Sequence, residues 1–171
     1  MMVTLGIFGT LATMAAFQIG SARPGFLGDG GMRVVIAQMN VARERALTER
    51  RNIRVNFIAP NKIQLIRQEV PLGTTTLTTV DLESGVTFGL TPTVPDTPDA
   101  FGNATAVSFG AAAQYWFTSD GLLTDQNLAP ISGTVFLTLP GQTRAARAVT
   151  ILGATGRIRG YKWDGRQWKR V

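Results

Sequence analysis

The pattern of apolar and polar positions divides the chain into three stretches. Residues 1–22 are apolar on every side: no charged residue and no proline interrupts them. At about 1.5 Å per residue they make a helix about 33 Å long, enough to cross a hydrocarbon core of about 30 Å. We therefore expect a membrane-spanning helix here. Gly6, Gly9, Ala12 and Ala16, with Leu5 beside them, recur at three- and four-residue spacing, giving a face on which a second helix can pack closely. A cleaved secretory signal is the competing reading. Gly20-Ser21-Ala22 has the small residues of a cleavage site, but no basic residue precedes the apolar run.

Residues 23–31 predict a flexible junction. Pro24 removes a backbone donor and disfavours helix at Arg23, and Gly25, Gly28, Gly30 and Gly31 follow it. Pro24 and Gly25 are thus expected to break the helix, with Asp29 capping its resumption. Over residues 32–51 the helical period returns: Met32, Val35, Ile36, Met39, Ala42, Ala46 and Leu47 form one apolar stripe among charged neighbours. Such an amphipathic stem helix must pack on something, and a sheet is the natural partner.

Residues 52–171 read as a β-rich globular domain. Ile53, Val55 and Phe57 alternate with polar residues, residues 59–62 turn, and residues 63–66 return as a hairpin. Residues 74–80, 107–109, 114–117, 134–139 and 147–152 are further strands. Residues 91–99, with three prolines, predict a loop that has no core to bury. After the turn at residues 153–156 comes a last strand, 157–163, and the Asp164-Gly165 turn closes a terminal hairpin. The fold class is α+β, a long N-terminal helix packed on antiparallel sheet.

Two missing residue types narrow the chemistry. The chain has no cysteine and no histidine, which removes disulfides, thiolate nucleophiles, Cys/His metal sites and imidazole bases together. Its carboxylates sit in turns such as Asp120-Gly121, where aspartate shapes the backbone, and no phosphate-binding loop occurs. The expectation is a protein that is not an enzyme and takes no cofactor or metal.

Charge adds a further asymmetry to the net +6. Residues 23–70 hold nine basic and four acidic residues, residues 71–143 six acidic and no basic ones, and residues 144–171 eight basic residues against Asp164 alone. A basic tail on an acidic middle points to a polyanionic or acidic partner. Within the tail, Arg157, Arg159, Lys162, Arg166, Lys169 and Arg170 interleave with Tyr161, Trp163 and Trp168. Cations at strand spacing can meet successive phosphates, and the aromatics can stack on bases, so these are the candidate DNA-binding residues. The alternative is structural: arginines guard an edge strand against pairing, and the tryptophans cover the core.

The order of these blocks resembles the type IV pilin-like proteins, in their GspH/FimT branch. Residues 1–12 look like the part of that family's N-terminal signature that follows its glutamate. Residues 42–47 with 51–55, then 117–121, 149–151 and 156–159, resemble the end of the stem helix and the later blocks of the branch. The resemblance implies a minor pilin or pseudopilin of a type IV pilus or type II secretion filament, helping to initiate it or sitting at its tip. It implies a single-pass inner-membrane protein with a periplasmic domain, other pilins or pseudopilins as partners, and a methylated N-terminus. Members of the FimT-like subgroup with a Gly-Arg-x-Arg motif take part in DNA uptake, which implies the same for Gly156-Arg157-Ile158-Arg159 and DNA as a further partner. The family's basic leader, its cleavage-site glycine and its glutamate are not among these 171 residues, so the expectation is a start assigned too far downstream or a shortened chain.

Overall fold

The structure, a computed structural model, describes the backbone of residues 2–82, 85–112 and 114–171 and the side chains from Arg23 onward, the masked positions apart. Among the described residues one α-helix, α1 (Met2–Glu49), precedes eleven strands and a short 3-10 turn (Thr143–Ala145). The 48 residues of α1 make a rod about 72 Å long. Among the described residues no helix is long and apolar enough to cross a membrane. The span read at residues 1–22, with Leu5, Gly6, Gly9, Ala12 and Ala16 as its packing face, falls where side chains lie outside the described residues.

The expected break at Pro24 and Gly25 does not occur: α1 runs through residues 23–31, with Pro24 inside it. An internal proline costs about 3 kcal/mol, and packing here offsets that cost. Gly28 and Gly31 are contact residues, for a Cβ on Gly28 would stand 2.6 Å from the Ala145 carbonyl oxygen and one on Gly31 2.8 Å from Val86 Cγ1. These glycines bring the helix close to the domain instead of loosening it. Asp29, expected as a cap, sits mid-helix and accepts a hydrogen bond from Arg147 Nε at 2.7 Å. Arg147 also donates to the Gly25, Arg144 and Ala146 carbonyls, so one buried guanidinium stitches helix, loop and sheet together.

The strands form two antiparallel sheets. The first, in spatial order, is β3 (Thr74–Asp81), β2 (Lys62–Gln68), β1 (Ile53–Ile58), β6 (Tyr115–Phe117) and β7 (Leu123–Asp125). The second is β11 (Trp168–Arg170), β10 (Arg157–Trp163), β9 (Arg147–Leu152), β8 (Gly133–Thr138) and β4 (Thr87–Phe88), with β5 (Val107–Ser108) also on β8. The short β4 and β7, each at an edge of its sheet, carry too little periodic signal to be read from sequence.

Met32, Val35, Met39, Ala42 and Ala46 of α1 share one core with Ile53, Val55, Ile63 and Leu65 of the first sheet and Val135, Leu137, Val149 and Ile151 of the second. The stem stripe thus meets two sheets at once. At its C-terminal end α1 is held by Arg43, which donates to the Gly121 and Thr155 carbonyls, each at 3.1 Å. Glu49 pairs there with Arg67 at 2.9 Å.

Candidate functional site: the outer face of the second sheet

On β9 and β10 alternate residues turn to opposite faces. Val149, Ile151 and Ile158 join the main core, and Gly160 lies against Met32 and Ile36. Ala148, Thr150, Arg157, Arg159 and Tyr161 therefore occupy the outer face. The register places Arg159 opposite Thr150, Tyr161 opposite Ala148 and, across β11, opposite Arg170. A second, smaller core forms on this face from Phe136, Ala148 and Tyr161, with Trp168 packed against it.

The proline-rich loop covers that core, contrary to the expectation that it buries nothing. Thr97 is 3% exposed, and beyond the Thr91–Thr138 hydroxyl pair at the loop's start the loop docks through two groups of hydrogen bonds among the described residues. Trp168 Nε1 donates to the Pro95 carbonyl at 2.8 Å. The Asp99 carboxylate accepts from Thr150 Oγ1 at 2.6 Å, from Tyr161 Oη at 3.0 Å and from the Arg159 guanidinium. Burial pushes the Asp99 carboxyl up, but the hydrogen bonds from Thr150 and Tyr161 and the charge of Arg159 outweigh it and hold it below the usual carboxylate range. Burial and the neighbouring Asp99 raise the Tyr161 phenol. Arg159 Nε is buried without a partner among the described residues. Beside this cluster a depression of about 260 Å³ is lined by Pro98, Phe101, Leu152 and Arg157.

The candidate residues are thus only partly brought together. Arg157, Arg159 and Arg170 share the outer face, while Lys162 and Lys169 stand opposite each other on the other side of the hairpin. Arg166 lies in the turn, exposed. Lys169 pairs with Asp164 at 2.9 Å. The Gln167 N–H, that ammonium and the Arg166 N–H hold Asp164 well below the usual carboxylate range. Arg157, Lys162, Arg166 and Arg170 are exposed and pair with no acidic side chain among the described residues. Of the candidate stacking residues, Tyr161 and Trp163 are buried and only Trp168 is half-buried. Trp163 meets Trp168 edge to face at 5.4 Å.

The Gly-Arg-Ile-Arg block separates into four roles. Gly156 has φ +61°, and a Cβ there would meet the Gly121 carbonyl and Arg43. Ile158 packs on the core, Arg159 binds Asp99, and Arg157 presents a cation with no acidic partner among the described residues. Sequence reading missed Asp99, Thr150 and Arg147. The signal available for Asp99 was a loop with two aspartates, Asp96 and Asp99, and no basic residue, in a chain whose tail is rich in arginine.

Comparison with protein-family models, with curated proteins and with solved structures finds no match for the chain.

Proposed function

We propose that this chain is a structural subunit of a pilin-like filament, a minor pilin or pseudopilin anchored in the membrane by residues 1–22 before assembly. The observation that carries the reading is the single continuous helix, Met2–Glu49, whose C-terminal half packs on the domain through Met32, Val35, Met39, Ala42 and Ala46. A helix built to be buried by its own domain would show its apolar stripe from end to end. Here the amphipathic stripe starts at Met32, and the sequence before Arg23 has no charge. Such a segment is soluble in lipid and packs equally well against sister helices through Gly6, Gly9, Ala12 and Ala16. The domain packs along the C-terminal half of that helix.

Because the chain lacks cysteine, one introduced thiol reports unambiguously. Gly9→Cys and Ala16→Cys, oxidised in native membranes alongside candidate pilins carrying matching cysteines, should give disulfide-linked species. Arg33→Cys, on the exposed face of the stem, should give far fewer. Equal cross-linking at all three positions, or none, counts against the filament reading.

A second reading, a DNA-binding subunit, is favoured by one arrangement: Arg157, Arg159 and Arg170 lie on the face that also carries Tyr161 and Trp168. Residues two apart on a strand repeat at about 6.6 Å, so this row can follow a phosphate backbone.

A further inference from the structure

The convergence on Asp99 has the form of a filled binding site. A guanidinium, a phenol and a hydroxyl from two adjacent strands point at one carboxylate. Donors of these three kinds recognise oxyanions generally, and charge-assisted bonds to them are among the stronger ones a surface can make. The fit of the present occupant is incomplete, since Arg159 Nε stays unpartnered and buried. A phosphate, with more acceptor oxygens and a wider spread, can serve both edges of the guanidinium where one carboxylate oxygen serves Nη1 alone.

The occupant arrives on a segment with few attachments. Between Val94 and Asn103 the hydrogen bonds joining the loop to the sheet, among the described residues, are those of Pro95 and Asp99. Others close the loop on itself: Asp96 accepts from the Thr97 and Gly102 N–H groups. Thr93 at φ +73° and Ala100 at φ +53° are left-handed without being glycine, and a β-branched residue there is an outlier. Left-handed backbone is unfavourable for residues with a Cβ, so the docked loop is held against its own backbone preference.

We propose that Thr150, Arg159 and Tyr161 form an oxyanion receptor occupied in cis by Asp99, and that a nucleic-acid phosphate takes the receptor when the proline-rich loop lifts. Nucleic acid is the occupant that the surroundings favour. Exposed Arg157 and Arg170 extend the row on the same face, and lifting the loop uncovers Trp168 and Tyr161 as stacking surfaces. This rests on the DNA-binding reading and adds to it a gate, with Asp99 as the internal competitor.

The test uses the full chain in detergent micelles and a fluorescent single-stranded oligonucleotide followed by anisotropy. Asp99→Asn, which keeps the size and removes the charge, should bind about tenfold more tightly than wild type. The dependence on salt should steepen by about one phosphate. Arg159→Gln added to Asp99→Asn should abolish that gain. If both forms bind and Asp99→Asn binds no better, the receptor is overturned while the DNA-binding reading stands. If neither binds at low salt, both are overturned. Polyglutamate competing as well as the oligonucleotide against Asp99→Asn overturns the assignment to nucleic acid. A wild-type measurement guards against misfolding of the variant: saturating oligonucleotide should speed amide exchange across residues 93–102, and unchanged or slower exchange there overturns the gate.

Discussion

Arg147 and Arg159 stand on adjacent strands of one sheet, and each pairs with an aspartate far away in sequence, yet they end on opposite faces and hold very different things. Arg147 faces inward. Its side chain is 5% exposed, and besides Asp29 it binds three backbone carbonyls. What it holds is a helix, whose every turn is also held by its neighbours. Arg159 faces outward, 27% exposed, and its partner Asp99 sits on a loop that, between Val94 and Asn103, has one other hydrogen bond to the sheet among the described residues. The same ion pair is a fastener in the first place and a catch in the second. The surrounding chain, not the charges, decides which.

The largest effect should come from the inward pair. Arg147→Met leaves Asp29 and the Gly25 carbonyl without their donor. Removing one member of a buried pair costs about 3–5 kcal/mol, and because Asp29 is a third exposed we expect about 2–3 kcal/mol. Urea unfolding followed by circular dichroism measures it, and a change below about 0.5 kcal/mol would remove the contrast between the two arginines.

The glycines of the same segment give a sharper, opposite-signed test. Gly25→Ala meets nothing nearer than Arg147 Nη2 at 3.8 Å, so the helix-propensity gain of about 0.8–1 kcal/mol should appear as added stability. Gly28→Ala collides with a backbone carbonyl, where overpacking costs about 1–3 kcal/mol, and should come out destabilising by about 1 kcal/mol once that gain is subtracted. If both substitutions stabilise equally, the segment is not packed closely on the domain.

The outward pair should give the smallest effect on stability and a distinct pH signature. Asp99→Asn should cost about 1 kcal/mol near neutral pH. The folded Asp99 carboxyl lies below its usual value, so its contribution is present above an unfolded pKa of about 3.9 and is lost as pH falls through the folded value. Wild type should therefore lose stability more steeply than Asp99→Asn on the acid side of about pH 4. Parallel acid limbs would show that Asp99 carries no such linkage.

The strands and the helix stripe were legible because burial imposes a period on them. Ile53-Val55-Phe57 and Val135-Leu137 alternate, and Met32 to Ala46 recur at helical spacing. The junction was misread because proline and glycine mark a break only when nothing else holds the chain. Arg147, more than one hundred residues away, supplies what holds it. Gly28 and Gly31 look identical in sequence whether they give freedom or close contact. In the candidate site the cations and aromatics could be named, and their sorting onto two faces follows from strand alternation. The capping of Arg159 by Asp99 could not be read, because it depends on a loop crossing the outer face, and no local period records a loop's path.

Amide hydrogen exchange on the full chain in micelles, without ligand, compares the fastener and the catch in one experiment. The account predicts protection across residues 25–31 approaching that of the core strands β8 and β9, and exchange across residues 93–102 through local opening well below the global unfolding energy. Rapid exchange at residues 25–31, equal to that of the loop, would contradict the continuous, pinned helix on which the proposed architecture depends.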